Sequence, residues 1–342
     1  MRIPVPLAWA LLTLTFFTAA LLRGFHERTP ESPYAPPVVG SLLFGAIFLL
    51  LLVSAREWQR GAIPGRGVRL GSLTPILLML LLEKWFSLTL YPPLFYAWAS
   101  AAASPRQLDA QYPGVFGVLL IGVSLIVAFL SRPTARKTWR RARPARWPVA
   151  AAATLLVAGA CYALIGGLAL LLGGGLRLEI PARDDVFVWL VVGQALLAFA
   201  EELYYRGLLL NEMERLAPRL GVRAATARRW VALLLTSLLF GAEHLILGPP
   251  WTLSLQRLVF TVSLGLLLGI LVMVSANLHF AAGIHAWINW LLLGVAPRFV
   301  DGSGQPALPS GTYIGLTLIL AFVLAFLVQR RRWGAVTTAG AG

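Results

Sequence analysis

Long apolar runs dominate the chain, and short segments rich in arginine and proline separate them. An α-helix that rises about 1.5 Å per residue needs roughly 17 to 25 apolar residues to cross the hydrocarbon of a bilayer. Runs of this kind occur about ten times along the chain. They are residues 6–22, 38–54, 72–97, 112–130, 149–172, 186–210, 230–247, 256–275, 279–296 and 313–329. The pattern therefore predicts an all-α fold, a polytopic bundle of about ten transmembrane helices.

Two of these runs depart from a simple span. The third contains the charged pair Glu83 and Lys84 and the pair Pro92 and Pro93, which predicts a kinked helix or one longer than the membrane is thick. The ninth is short and comparatively polar, so a partly re-entrant segment is an alternative to a full span. The first run follows Arg2 and resembles a signal peptide, but we expect it to be retained as the first helix.

Composition supports a membrane protein. The chain has 342 residues, of which 58% are hydrophobic and 13% charged, and its mean hydropathy is +0.76. These values are too apolar for a soluble protein of this size. The single cysteine, Cys161, lies within an apolar run, which excludes a disulfide within the chain and favours a packing role.

The distribution of charge predicts orientation. The net charge is +15, from 29 Lys and Arg against 14 Asp and Glu. Because the basic residues lie in short connecting segments and not on a soluble face, nucleic acid is not expected as a partner. Most of them lie in segments 56–69, 132–146, 215–229 and 330–332, which places these segments and both chain ends in the cytoplasm. Segment 132–146 could also contact anionic lipid, although a topology signal is the favoured interpretation.

Ionisable residues within spanning helices are costly, so each needs a partner or a function. The sixth run contains FAEELYYRGLLL, with Glu201, Glu202 and Arg206 in an apolar setting. On an α-helix, which advances about 100° per residue, Glu202 and Arg206 stand one turn apart and can pair. Glu201 points about 100° away from Glu202, which leaves it without a counter-ion on its own helix.

The seventh and ninth runs add further polar groups. FGAEH places Phe240 one turn before His244, where the aromatic ring can flank the imidazole. HAWIN places His285 and Asn289 one turn apart and therefore on one helix face. Across three helices the sequence offers a carboxylate, two imidazoles and an amide at similar predicted depth. We leave open whether Glu243 and His279 contribute, and expect His279 to lie near the membrane boundary.

These groups suit the hydrolysis of a peptide bond. A carboxylate shielded from water can act as a general base for a water molecule, and a neighbouring imidazole can orient that water and later protonate the leaving amine. The second imidazole and the amide can donate hydrogen bonds to the oxyanion of a tetrahedral intermediate.

The segments EELYYR, FGAEH and HAWIN resemble the EExxxR, FxxxH and HxxxN motifs of the CAAX protease and bacteriocin-processing family, which includes the type II CAAX prenyl endopeptidases. The resemblance covers roughly residues 186–296 and implies an all-helical intramembrane endopeptidase of glutamate type. It implies that Glu201 activates water with His244, while His285 and Asn289 form the oxyanion site. Supporting roles fall on Glu202, Arg206 and Phe240.

No cofactor is expected. Glu201, His244 and His285 could form a zinc site of two histidines and one carboxylate, but the HExxH spacing is absent, so a metal is the less favoured alternative. The domain organisation we predict is 1–185 as N-terminal helices of unknown role, 186–296 as the catalytic core, and 297–342 as the final helix and basic tail. The arginine- and alanine-rich connections suggest a multi-pass protein of a bacterial inner membrane.

Two other functions remain open at this stage. The same polar residues could hold helices together in a non-catalytic scaffold or immunity protein of the same fold. They could also relay protons in a transporter, although internal repeats are not visible. The expected partners of the favoured function are a membrane-associated peptide or protein substrate and the lipid bilayer, whereas the sequence predicts neither the substrate's identity nor the oligomeric state.

Overall fold

The computed structural model describes most of the chain from residue 105 onward. The described residues are 2–3, 68–69, 76, 105–130, 132–171, 175–181, 185–244 and 251–339. The first three predicted spans, 6–22, 38–54 and 72–97, therefore lie outside the described residues, apart from the helical residue Ile76.

The described chain is mostly helical, as predicted. Its α-helices are α1 (Pro105–Leu130), α2 (Arg132–Arg141), α3 (Trp147–Leu171), α4 (Asp185–Glu201), α5 (Leu210–Leu216), α6 (Ala225–Ala242), α7 (Trp251–Ser275), α8 (Leu278–Leu292) and α9 (Ser310–Ala339). A 3-10 turn (Pro144–Arg146) precedes α3, and a π-helix (Glu202–Leu209) joins α4 to α5. The strands are β1 (Arg2–Ile3), β2 (Val68–Arg69), β3 (Arg177–Glu179) and β4 (Arg298–Val300), paired β1 with β2 and β3 with β4 in antiparallel register.

Within the described residues, five helical segments are long and apolar enough to cross a membrane: Ala110–Ala128, Arg136–Leu171, Val186–Leu216, Leu255–Ser275 and Ser310–Arg330. They correspond to the fourth, fifth, sixth, eighth and tenth predicted spans. The predicted total of about ten is not confirmed. The seventh prediction, 230–247, falls on α6, which has 18 residues and ends at Ala242, and the ninth, 279–296, falls on α8. With 15 residues, α8 is about 22 Å long and shorter than the hydrocarbon is thick.

The chain divides into two compact units. The first unit comprises Ala103–Val118, Trp139–Glu202 and Leu267–Gly342, and the second contains Leu119–Thr138 and Leu203–Leu266 among its described residues. These units do not follow the domain organisation predicted from the sequence, which stays a prediction.

In the first unit, α8 packs against α3, α4 and α9. Its start is set by Asn277, whose side chain accepts a hydrogen bond from the backbone N–H of His279 at 3.1 Å. Its end is followed by Gly294 at φ +67, a conformation that glycine adopts without steric cost. Gly283 lies directly against Thr154 of α3, with no room for a side chain between them. Small residues at such crossings let two helix backbones approach closely.

The second unit contains buried polar side chains around the π-helix. The hydroxyl of Thr138 and the amide Nδ2 of Asn211 both donate to the backbone carbonyl of Gly207. Side-chain donors of this kind can satisfy a carbonyl near the point where the hydrogen-bond spacing changes between a π-helix and an α-helix. Beyond the π-helix, Glu214 of α5 forms an ion pair at 2.6 Å with Lys137 of α2.

Candidate active site

Helix α4 brings two polar side chains of the first unit onto one face. Gln194 and Glu201 are seven residues apart, which is close to two full turns of an α-helix. Glu201 is the last residue of α4, and the π-helix begins at Glu202. π-Helical turns are rare and occur frequently at functional sites. The two adjacent glutamates therefore stand where the helix geometry changes.

His285 of α8 lies between the two carboxylates. Its Nδ1 is 3.0 Å from Oε1 of Glu202, and its Nε2 is 3.6 Å from Oε2 of Glu201. The imidazole is 3% exposed and Glu202 is fully buried, whereas Glu201 retains 9% exposure. Because the two ring nitrogens face different directions, a single imidazole reaches two carboxylates that point apart on their own helix. A carboxylate can only accept, so Nδ1 donates to Glu202, and this bond fixes the orientation of the ring.

Asn289 follows His285 by one turn of α8 and is held by a residue that sequence reasoning missed. Its Nδ2 donates to Oε1 of Gln194 at 3.1 Å. The next residue of α8 also bonds to α4: the indole N–H of Trp290 donates to the backbone carbonyl of Val191, also at 3.1 Å. An amide nitrogen carries two hydrogens, so the bond to Gln194 orients the Asn289 amide and leaves a second N–H to donate elsewhere.

A signal for Gln194 is present in the sequence. It is an uncharged amide within an apolar run, two helical turns before Glu201 and on the same face. Attention to ionisable groups alone overlooks it, because a neutral amide is a much smaller departure from an apolar helix than a carboxylate.

In the second unit, His244 follows the end of α6. Its Nδ1 lies 2.7 Å from the backbone carbonyl of Phe240, and the two ring centroids are 4.6 Å apart at an interplanar angle of 52°. A carbonyl oxygen can only accept a hydrogen bond, so Nδ1 carries the proton. The neutral form of His244 therefore has its lone pair on Nε2, where it can accept a proton.

Arg206 supports the same aromatic ring. Its guanidinium carbon lies 4.4 Å from the centroid of Phe240, and Nη2 donates to the carbonyl of Gly265 at 3.3 Å. The side chain is 2% exposed. A cation over an aromatic face is attracted by the ring's charge distribution, more strongly when it is desolvated. Arg206, Phe240 and His244 thus form a continuous stack within the second unit.

The sequence places Glu202 and Arg206 one turn apart on an α-helix, whereas the segment that contains both residues is a π-helix. A π-helix has wider turns, with hydrogen bonds between residues five apart, so the α-helical spacing does not by itself establish the pairing. The partner that the structure shows for Glu202 in the first unit is His285. The pairing of Glu202 with Arg206 stays a prediction.

The remaining polar candidates have distinct places. His279 stacks on Phe199 of α4, with ring centroids 5.5 Å apart and planes 3° from parallel. Glu243 is buried at the C-terminal end of α6, where the partial negative charge of the helix end makes a carboxylate costly.

Within the part of the chain that the structure describes, no three His, Cys, Asp or Glu side chains are arranged to hold a metal ion. The sequence-based expectation of no cofactor stays a prediction.

The fold and the site define a class of protein: a helical, multi-pass membrane protein with two carboxylates, Glu201 and Glu202, inside a candidate span and the imidazole of His285 between them. Residues 183–291 match the family model of the type II CAAX prenyl endopeptidase Rce1-like proteins, a range that contains EELYYR, FGAEH and HAWIN and spans less than half of the chain. This match confirms the resemblance seen in the sequence and indicates an intramembrane protease of the CAAX type. Comparisons with curated proteins and with solved structures found no match.

Proposed function

We propose that the protein is a glutamate-type intramembrane endopeptidase that hydrolyses a peptide bond of a membrane-associated substrate. The observation that carries this proposal is the position of the His285 imidazole between the carboxylates of Glu201 and Glu202. Burying two carboxylates around one imidazole is expensive in an apolar helix bundle, and a purely structural contact would be made more cheaply by apolar side chains. Such an arrangement is typical of a site that moves protons.

Glu201 is the proposed general base. Of the two carboxylates it is the more accessible, with 9% of its surface exposed against 0% for Glu202. In the proposed step, Glu201 takes a proton from a water molecule while the water oxygen forms a bond to the carbonyl carbon of the scissile peptide. The C=O π electrons then move to the carbonyl oxygen, which becomes an oxyanion.

His285 and Asn289 are the proposed donors to that oxyanion. The contact of His285 Nε2 with Glu201 is 3.6 Å, longer than a hydrogen bond. In this proposal the imidazole carries hydrogen on both ring nitrogens: Nδ1–H donates to Glu202, and Nε2–H turns from Glu201 to the oxyanion. When Glu201 becomes neutral by taking the proton, the developing oxyanion replaces it as the negative charge near the ring. Asn289 offers the second hydrogen of the amide that Gln194 orients. Fixed donors of this kind contribute about 3 to 4 kcal/mol each in well-studied enzymes.

His244 is proposed to orient the water, to receive at Nε2 the proton that Glu201 takes from it, and to deliver that proton to the leaving amine as the C–N bond breaks and the oxyanion re-forms the C=O bond. Its assignment to the same reaction rests on the FxxxH motif. The geometry within the second unit supports this role. His244 donates from Nδ1 to the carbonyl of Phe240, so Nε2 is the atom that can exchange a proton. In this proposal Arg206 and Phe240 keep the imidazole in place.

The name of the matching family points to prenylated CAAX peptides as one candidate substrate class. We propose the broader class, a peptide anchored at or within the membrane, and treat the lipid group as a variable to be tested. We also infer a bundle of about ten spans with both chain ends in the cytoplasm, because basic segments alternate with the apolar runs. The arginine- and alanine-rich connections suggest a bacterial inner membrane.

The decisive assay is cleavage of a pool of membrane-anchored peptides, with and without a prenyl group, by the purified protein in detergent. We expect wild type to cleave and Glu201→Gln not to cleave, with unchanged activity after incubation with a chelator. Glu179→Gln is a matched control, since Glu179 is an exposed carboxylate on β3 that pairs with Arg298 on β4.

Three outcomes would contradict this proposal. Loss of cleavage on chelation, restored by zinc, would replace the metal-free mechanism with a metal-dependent one. Equal cleavage by wild type and Glu201→Gln would refute the role of Glu201. Absence of cleavage by a folded wild-type protein across the pool would favour a scaffold.

A further inference from the structure

A small cavity lies in the first unit, away from the carboxylates. It is bounded by the start of α3, the link between α7 and α8, and the part of α9 that precedes Arg330. Its volume is about 200 Å³, below the range of about 300 to 1,000 Å³ that is usual for pockets that enclose a drug-sized ligand. The cavity therefore has room for part of one molecule, such as a segment of a hydrocarbon chain.

The lining of the cavity is divided between apolar and polar groups. Its apolar residues include Val149 and Ala153 of α3 and Leu324 and Val328 of α9. The polar lining residues all stand at the ends of helices or spans: Arg146 just before α3, Ser275 and Asn277 at the link between α7 and α8, and Gln329 next to the end of the last span. A site with apolar walls and polar groups at one end matches an amphiphile.

The segments that line the cavity carry charge of one sign. Arg140, Arg143 and Arg146 precede α3, and Arg330 follows the cavity residues of α9. The sequence contains no acidic residue in 139–178, in 267–300 or in 302–342, which include all the segments that line the cavity. Basic residues at a membrane surface attract anionic lipid by about 1 kcal/mol each. Trp147, 62% exposed beside Arg146, is a residue type enriched at that interface.

Arg146 is held in place at the edge of the cavity. Its Nη1 donates to the backbone carbonyl of Ala276 in the link between α7 and α8. Ala276 has φ +51, a left-handed conformation that costs a non-glycine residue about 1 to 2 kcal/mol. The bond to Arg146 helps to maintain this conformation. A guanidinium has five N–H donors, so this bond leaves others that can reach a phosphate.

We propose that the cavity binds an anionic phospholipid, with part of one acyl chain between α3 and α9 and the phosphate on Arg146. The apolar walls contact the acyl chain, and the fixed guanidinium of Arg146 donates hydrogen bonds to the phosphate. The neighbouring arginines add electrostatic attraction for an anionic lipid. The proposal does not depend on the proteolytic activity.

The test uses the full-length protein in detergent, titrated separately with phosphatidylglycerol and with phosphatidylcholine of identical acyl chains. Native mass spectrometry counts the bound lipids. We expect the first phosphatidylglycerol to bind at least about five-fold more tightly than phosphatidylcholine, which corresponds to about 1 kcal/mol for one basic residue. Arg146→Gln should reduce this preference, because the phosphate loses its fixed donor while the neighbouring arginines remain.

Two substitutions of alanine by phenylalanine distinguish binding of the acyl chain in the cavity from general attraction between charges. Ala153→Phe fills the cavity without a change in charge and should weaken the first phosphatidylglycerol by at least about five-fold, about 1 kcal/mol. Ala152→Phe places the same side chain on the neighbouring exposed position, which is not part of the lining, and should bind as wild type does.

Equal affinity for the two lipids would overturn the proposal. So would wild-type binding of phosphatidylglycerol by Ala153→Phe, and this result decides the question even if Arg146→Gln fails to fold.

Discussion

The close approach of α8 to α3 at Gly283 gives a quantitative prediction for the helix that carries His285 and Asn289. A Cβ at position 283 would overlap Oγ1 of Thr154 and would lie 3.2 Å and 3.3 Å from its Cβ and Cγ2. Extra volume in a packed interface typically costs about 1 to 3 kcal/mol. The higher helix propensity of alanine returns about 0.5 to 1 kcal/mol. We therefore expect Gly283→Ala to lower the free energy of unfolding by about 1 to 2 kcal/mol.

A second substitution tests whether the clash with Thr154 is the cause. Thr154→Ala removes Oγ1 and Cγ2, and with them a hydrogen bond of 2.9 Å to the carbonyl of Ala150. The double variant should recover about 1 kcal/mol relative to the sum of the single effects, as residues in direct contact do in double-mutant cycles. Gly159→Ala is the matched control, because it lies on α3 with nothing within 4 Å of a new Cβ.

The assay is equilibrium unfolding of the detergent-solubilised variants, followed by circular dichroism. Additive effects of Gly283→Ala and Thr154→Ala would refute the packing argument, as would a Gly283→Ala protein as stable as Gly159→Ala. If α8 shifts, cleavage activity should fall in Gly283→Ala and return in part in the double variant.

Two further predictions concern residues that hold the site. Gln194→Leu removes the acceptor for Asn289 and should lower kcat by about three- to ten-fold with little change in KM. The reason is that a neutral hydrogen bond contributes about 0.5 to 1.5 kcal/mol. An unchanged kcat would refute the positioning role of Gln194. Gly265→Ala would place a Cβ 3.3 Å from both Arg206 Nη2 and Phe240 Cδ1 and should lower the thermal midpoint of unfolding, a shift absent if this packing is loose.

Several spanning helices could be predicted from the sequence because hydrophobic length is a local property. The predicted span 186–210 falls within the candidate span Val186–Leu216 of the structure, and 256–275 nearly coincides with Leu255–Ser275. The seventh and ninth runs were harder to interpret. Helix α6 carries Arg228 and Arg229 near its start, and α8 has only 15 residues, so neither is among the five candidate spans and these two predictions are not confirmed.

The site could be predicted as a set of residue types but not as a set of contacts. The sequence singled out Glu201, Glu202 and His285, yet not that one imidazole would face both carboxylates. Partners across helices depend on how helices pack, which periodicity does not encode. The π-helix was invisible for a related reason, because side-chain patterns assume a regular turn and the widened turn arises from backbone hydrogen bonds.

The central claim is that Glu201 acts as the base while Glu202 orients His285. It is tested most directly by single-turnover cleavage of one identified substrate by wild type, Glu201→Gln and Glu202→Gln, each shown to be folded. We predict that Glu201→Gln slows cleavage by about 10²- to 10⁴-fold, the contribution usual for a general base. Glu202→Gln should slow it by only about ten-fold, because glutamine can still accept from Nδ1 of His285. A Glu202→Gln enzyme as slow as Glu201→Gln, or a Glu201→Gln enzyme close to wild type, would contradict the account.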